Sequence, residues 1–346
     1  MQERLSSAVS WLRFTLIFFI IMLHCYSAVR LEGSYDTYFK ILYPFSLWLG
    51  ETGVPGFFFI SGFLFFYSRK PYGRKIATRM RTLLVPYVLW NALLLALYLA
   101  AYFAGFQPEI NGKPLAGYGA VDYLRVFWDR GSYDNGNFVP LLCPLWYIRN
   151  LLIMCVLSPV FYYLIRYVRE LFLIALLGWW LSVYDNAFIP QTVFFFCLGG
   201  YFSIFGLNPL DVFRRHRVPA LALFAILAVA DIAVHTLFPT PANLQIHRLS
   251  LLLNIPVLFL VADACARRGY SSRMLSQSAF IVFCVHYPLV IVTRRLCVML
   301  FAGASNLTHI LLYFASILVV TAASLAFCLI LDRHAPGLKN LLSGNR

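Results

Sequence analysis

Long apolar segments recur along nearly the whole chain, and they limit its possible folds more than any other feature. Hydrophobic residues make up 61% of the 346 residues and charged residues only 12%. About 20 apolar residues in a helix cross the hydrocarbon core of a bilayer, so the pattern predicts an all-α, polytopic integral membrane protein. The predicted transmembrane helices, about ten in all, cover residues 10–29, 44–67, 82–105, 146–165, 171–184, 190–205, 218–238, 247–264, 275–299 and 307–331.

Basic residues are concentrated in short loops between these segments. The loops 68–81, 166–170, 206–217 and 265–274 carry Lys and Arg, and they alternate with loops that are poor in them. Basic loops face the cytoplasm in most membrane proteins, which predicts that both termini are cytoplasmic. The net charge of +14 is therefore interpreted as a topology signal, and no nucleic-acid partner is predicted.

A single transmembrane domain over residues 1–346 is the predicted organisation, with no soluble appended domain. Its longest connection, residues 106–145, is predicted to face the outside, and a structureless loop of that length is either disordered or a functional lid. The eight cysteines are scattered without a C-x-x-C pair, so neither a disulfide framework nor a metal site is predicted.

Two polar residues interrupt the first apolar segment, "RFTLIFFIIMLH". Arg13 and His24 are separated by about three helical turns, or a rise of about 16 Å, so both project from one face of a helix. Because charged groups inside a membrane normally face protein or a wet cavity, this face is predicted to be buried against other helices.

The chemistry of this pair admits two interpretations. An arginine fork binds phosphate oxygens and a histidine acts as a general base near neutral pH, so the pair suits a long anionic molecule whose reactive tip reaches His24. Alternatively, Arg13 extends to the lipid headgroups and His24 makes an interhelical hydrogen bond. The two residues alone leave both interpretations open.

Further motifs follow in order along the chain. After the Arg-x10-His pair come "GETGVPGFFFISGFLFF" (50–66), "RMRTLLVPYVLW" (79–90), "PLWYIRNLLIMCVLSP" (144–159) and "SQSAFIVFCVHYPLVI" (276–291). Together the five segments resemble membrane-bound acyltransferase family 3, whose first helix carries this Arg-x10-His motif. The ordered set covers most of the chain, whereas Ser-Gly-Phe alone is a weak signal.

The resemblance implies that His24 is the catalytic histidine and that Arg13 holds the acyl donor or the catalytic geometry. It also implies acetyl-CoA, or a related short acyl-CoA, as co-substrate. The family commonly has Arg-x-x-Arg before its third helix, and here the pattern is altered to Arg79 and Arg81. These two residues either contact the phosphates of CoA or act as topology signals.

Other polar residues within or beside the predicted helices are candidates for substrate binding. Glu51 could orient the imidazole of His24, bind an acceptor hydroxyl, or be an interfacial carboxylate in water. Trp146 either lines the acceptor entry or belongs to an aromatic belt. Arg149 falls inside the fourth predicted helix, which favours pairing with an acidic group or a phosphate. For His286 and Asp231 a structural role is favoured, and the sequence leaves their roles open.

The leading hypothesis is a membrane O-acyltransferase that acylates a hydroxyl of a cell-envelope glycan or lipid-linked saccharide, in a bacterial inner membrane. A transporter or flippase that uses Arg13, His24 and Glu51 as a polar pathway is the main alternative. A regulatory relative without turnover is a third. Motifs for zinc proteases, nucleophile elbows and nucleotide phosphate loops are absent from the sequence.

Overall fold

The computed structural model describes residues 3–28, 40–131, 138–184, 187–237, 243–270 and 272–345. Within these ranges the chain is almost entirely helical. The helices are α1 Glu3–Ala28, α2 Gly53–Tyr67, α3 Tyr72–Arg79, α4 Val85–Phe103, α5 Ala120–Arg125, α6 Trp146–Val168, α7 Glu170–Ser182, α8 Phe188–Ile204, α9 Pro209–Arg215, α10 Arg217–Leu237, α11 Asn243–Arg267, α12 Arg273–Leu300, α13 Asn306–His334 and α14 Pro336–Ser343.

Eight helical stretches in the described part of the chain are long and apolar enough to span a membrane. The second and third of them include a π-helical segment, at Pro44–Leu49 and at Met80–Leu84. The prediction of a polytopic all-α membrane protein is thus confirmed. The two predicted helices 171–184 and 190–205 differ from the rest, because α7 is short and α8 forms with α9 a pair bent by 95°.

Helix α1 lies at the centre of the bundle and contacts α2, α11, α12 and α13. Its contact with the second span is very close. A Cβ atom on Gly53 would lie 2.8 Å from the main-chain oxygen of Leu16, and one on Gly50 would lie 3.0 Å from Cα of Leu23. Glycine at these two positions therefore lets the two backbones approach.

Helices α2 and α8 also touch backbone to backbone. A Cβ atom on Gly62 would clash with the carbonyl oxygen of Phe196, and one on Gly199 would clash with that of Phe59. Buried phenylalanine side chains surround this contact and form much of the core. The tight packing fixes the position of the second span relative to α6 and α8, which border the site described below.

The long connection 106–145 is folded in its described part, so the expectation of a structureless loop is wrong there. A two-stranded antiparallel sheet, β1 Glu109–Ile110 with β2 Lys113–Pro114, precedes α5. Ile110, Leu115 and Val126 form a small apolar core against the C-terminal half of α4. Burying these side chains gives the connection a hydrophobic core of its own.

Candidate active site

A cavity of about 280 Å³ lies at the end of the bundle where α1 ends and α6, α8 and α11 begin. His24, Glu51 and Trp146 all line it. These three residues come from separate predicted helices, and the structure brings them together as the walls of one chamber.

His24 sits four residues before the end of α1, which is a single α-helix over both Arg13 and His24. The shared face is buried at Ile17 and Ile20, which are 3% and 2% exposed. Arg13, however, is an exposed residue, so the expectation that the whole face is buried is wrong at the end that carries Arg13.

Two rings of α12 contact His24. The ring centroid of His286 lies 5.4 Å away and that of Tyr287 lies 5.1 Å away, the latter in an edge-to-face arrangement. His286 is fully buried, and its Nδ1 donates to the carbonyl oxygen of Phe283 at 2.7 Å. The neutral imidazole therefore carries its lone pair on Nε2, which has no hydrogen-bond partner among the described residues.

The walls of the cavity are largely aromatic. The rings of Trp146 and Phe188 are stacked, with centroids 3.9 Å apart and an interplanar angle of 9°. Trp180, Tyr147 and Phe283 also line the chamber. Flat aromatic faces beside a few polar groups are typical of sites that bind small molecules.

Glu51 belongs to a polar network that the sequence did not reveal. Its Oε2 lies 3.0 Å from Nε2 of His247, and Nδ1 of the same imidazole lies 2.8 Å from Oδ2 of Asp231. The next residue, Arg248, is 3% exposed and also lines the cavity. Adjacent His and Arg residues at the start of an apolar segment were the available signal, because membrane helices rarely place such groups without a partner.

Arg13 lies toward the opposite end of the bundle and is not among the residues that line the cavity. The Arg79 guanidinium and the Tyr147 hydroxyl are both close enough to Arg13 to interact with its charge. Tyr147 also shares a hydrogen bond of 3.0 Å with Ser61. Since Tyr147 lines the cavity as well, its side chain connects the chamber around His24 with the surroundings of Arg13.

The two arginines before the third span differ in their positions. Arg79 ends α3 and lies close to Arg13, whereas Arg81 lies in the π-helical segment and is exposed. Contacts of Arg79 and Arg81 with the phosphates of CoA stay a prediction.

Arg149 contacts backbone carbonyl groups that the sequence did not predict. Its Nη1 donates to the carbonyl oxygen of Trp128 at 2.7 Å and its Nη2 to that of Phe138 at 2.9 Å, and the guanidinium lies over the Trp128 ring. The guanidinium also donates to Oδ1 of Asn150, and the charge of the Asp129 carboxylate acts on it. The expected phosphate partner stays a prediction. Irregular backbone must satisfy its carbonyl groups, and Arg149 does so from α6.

No group of three or more His, Cys, Asp or Glu side chains in the described ranges is arranged to hold a metal ion. The polar side chains that line the cavity include the imidazoles of His24 and His247, the carboxylate of Glu51, the guanidinium of Arg248 and the amide of Gln191.

Fold and cavity together define a multi-pass membrane protein with a histidine-lined chamber near one end of its bundle. The profile of the family described as "Acyltransferase domain" matches residues 6–333. The chain belongs to this family, acyltransferase family 3, and is an acyltransferase enzyme. Its predicted membership is thus confirmed.

One curated relative is the succinoglycan biosynthesis protein ExoH of Rhizobium meliloti (strain 1021). It is 25% identical over 367 aligned residues, which cover 100% of this chain and 94% of ExoH. The alignment therefore extends over the whole transmembrane domain. No solved structure gives a significant match.

Proposed function

We propose that this acyltransferase moves an acetyl group, or another short acyl group, from cytoplasmic acyl-CoA to a hydroxyl of an envelope polysaccharide or lipid-linked saccharide. The observation that carries the proposal is that His24 lines a chamber together with Glu51 and Trp146. The relative ExoH, by its name, acts in the biosynthesis of a polysaccharide. This supports a saccharide acceptor and a place in a bacterial inner membrane.

In the proposed reaction, His24 takes the proton of the acceptor hydroxyl as its oxygen attacks the thioester carbonyl carbon. A carbon–oxygen bond forms and the carbon–sulfur bond breaks. The proton then passes to the thiolate, so the products are an ester and the free thiol of CoA. No net proton is released, and one imidazole is sufficient for the transfer.

The donor would approach from the end of the bundle that carries Arg13. Arg13 and Arg79 lie close together there, and arginine binds phosphate oxygens in a fork geometry. The thioester arm would then extend past Tyr147 toward His24, over about 16 Å of helix. Arg13 thus holds the donor in register with the base, which is the role proposed for it.

The test compares the wild type with His24→Ala and Arg13→Ala at equal membrane expression. Glycan acetylation in vivo and release of CoA thiol in purified nanodiscs are measured. Because a general base contributes about 10²–10⁴ in rate, His24→Ala is expected to lose acetylation almost entirely. Full activity in this variant would overturn the mechanism.

A transport function gives a different result in the same preparation. The transporter or flippase considered above would move a saccharide across proteoliposomes without consuming acyl-CoA. Thiol release that depends on the acceptor supports the transferase. Flux without thiol release would support the alternative.

A further inference from the structure

The imidazole of His247 lies between two carboxylates. Nε2 faces Glu51 at 3.0 Å and Nδ1 faces Asp231 at 2.8 Å. An ionised carboxylate only accepts hydrogen bonds, so both ring nitrogens act as donors and the ring is an imidazolium. This ring therefore has no lone pair for a metal ion, and it holds Glu51 in one orientation.

Asp231 anchors the other side of the imidazolium. It is fully buried, and its Oδ1 accepts a hydrogen bond from the Tyr43 hydroxyl at 2.9 Å. Nδ1 of His235 lies 2.9 Å from the same oxygen. With each oxygen of Asp231 engaged by the protein, this carboxylate is unavailable to a ligand and acts as a support.

A single face of α11 holds the segment that carries Glu51. Nε1 of Trp48 donates to Ser250 at 2.7 Å, and Nδ2 of Asn254 donates to Thr52 at 2.8 Å. His247 lies on the same face, because residues three or four apart are neighbours on a helix. Side chains on both sides of Glu51 are thereby fixed to α11.

Glu51 nevertheless keeps one oxygen for the cavity. Its side chain is 39% exposed and lines the chamber. In the described part of the chain, the hydrogen bond to His247 uses Oε2, and Oε1 has no hydrogen-bond partner. Two carboxylates, one imidazolium and the nearby Arg248 balance in charge, so a neutral hydroxyl fits Oε1 better than a further ion.

We infer that Glu51, held by His247 and Asp231, forms the subsite for the acceptor sugar, in which Oε1 of Glu51 accepts a hydrogen bond from a ring hydroxyl. The inference rests on the proposed function and deepens it. Glu51 is the residue that touches the sugar. His247 and Asp231 are positioning residues, because they act through Glu51.

The aromatic walls complete this subsite. Trp146 and Trp180 border the same chamber as Glu51, and a sugar ring presents apolar C–H faces together with hydroxyl edges. An aromatic wall covers such a face while the carboxylate binds an edge. A volume of about 280 Å³ suits one sugar ring rather than a longer stretch of glycan.

The first experiment measures binding without turnover. Saturation-transfer NMR is recorded with methyl β-D-glucoside as the probe and the full-length protein in nanodiscs. The wild type is expected to give a transfer signal to the ring protons. Glu51→Gln, which keeps the shape and removes the charge, is expected to bind at least about tenfold more weakly, since hydrogen bonds to charged groups are the strong ones.

A second variant distinguishes the loss of the Glu51 charge from a folding defect. Glu51→Asp keeps the charge and shortens the side chain, so it is expected to bind the glucoside better than Glu51→Gln. The matched control is Glu170→Gln, a change at an exposed carboxylate at the other end of the bundle. Equal transfer signals in wild type and Glu51→Gln, or no signal in the wild type, would overturn the subsite.

Kinetics test the positioning residues. Asp231→Asn is expected to raise the KM for the glucoside by about fivefold or more, while the KM for acetyl-CoA changes by less than about twofold. His247→Gln is expected to behave likewise, and His216→Gln, at an exposed histidine, serves as the matched control. If the KM values for the glucoside and for acetyl-CoA rose together, the network would only maintain the fold, and the positioning role would be overturned.

The proposed acyl transfer and the proposed sugar subsite can be refuted independently of each other. If wild type releases CoA thiol with the glucoside and Glu51→Gln keeps the same KM for it, the subsite is wrong and the acyl transfer stands. If the wild type binds the glucoside through Glu51 but never releases CoA thiol, the proposed function is wrong and the subsite stands.

Discussion

The rings of His24 and His286 lie 5.4 Å apart at their centroids, and Nε2 of His286 has no hydrogen-bond partner in the described part of the chain. The hydrogen bond from Nδ1 to Phe283 places one proton of His286 on Nδ1. Because the ring is fully buried and its Nε2 has no such partner among the described residues, a second proton and a charged ring are disfavoured. A neutral neighbour with a lone pair favours a proton on His24, whereas a cation there would oppose it.

We therefore expect His286→Leu to lower the kcat of acyl transfer by about tenfold or more, because a buried hydrogen-bond acceptor beside the base is lost. The KM values for acyl-CoA and for the acceptor should change little, since His286 is not among the residues that line the cavity. Initial rates of thiol release measure both quantities. An unchanged kcat would show that His286 only packs against His24 and does not assist it as a base.

The close approach of α1 and the second span gives a second prediction. A Cβ atom on Gly53 would lie 2.6 Å from Cγ1 of Ile20. Overpacking of this kind costs about 1–3 kcal/mol, and it would move Glu51 away from His24. Gly53→Ala is therefore expected to lower both the unfolding temperature in detergent and the rate of acyl transfer.

Gly73 provides the control for this change. It is also helical, and a Cβ atom there would have nothing within 4 Å. Gly73→Ala should preserve both the unfolding temperature and the rate. Equal behaviour of the two variants would contradict the role given to the close approach.

Because Arg149 donates to backbone carbonyl groups, replacing it is expected to loosen the connection 106–145 locally. Replacing Arg149 by Met leaves the carbonyl groups of Trp128 and Phe138 without their donor. Because both residues are about half exposed, the cost is expected to stay below the roughly 1–3 kcal/mol of a fully buried group. Hydrogen exchange in residues 120–131 and 138–141 is expected to speed up. Arg166→Met, at an exposed position of the same helix, should leave that exchange unchanged, and identical exchange in both variants would contradict the anchoring role.

The sequence alone predicted the local features of the fold and missed the contacts between distant segments. Apolar length was enough to predict most of the helices, and the helical period placed Arg13 and His24 on one face, because both properties are local. The network of Glu51, His247 and Asp231 is not local, since it joins three separate spans. The periodicity of one helix shows which of its residues share a face, but it does not show which polar groups of other helices will contact them.

Loops gave the weakest predictions for a related reason. The connection 106–145 has a core of residues such as Ile110 and Val126 that are far apart in sequence, so its order depends on contacts that a length argument does not capture. Arg149 illustrates the same limit. Its place inside a predicted span suggested a charged partner, but it did not predict the backbone carbonyls of a folded connection that accept its hydrogen bonds.

The difference between Arg79 and Arg81 leads to the final prediction, which separates donor binding from a topology signal. Arg79 is close to Arg13 and Arg81 is exposed elsewhere in its segment. A charge-assisted contact to phosphate contributes about 1.5–3 kcal/mol, so Arg79→Gln should raise the KM for acetyl-CoA by about tenfold or more. Arg81→Gln removes the same charge two residues further along the same helical stretch and should change that KM by less than about twofold. If both variants raised the KM equally, the effect would come from the net charge of this stretch, and the specific contact proposed for Arg79 would be refuted.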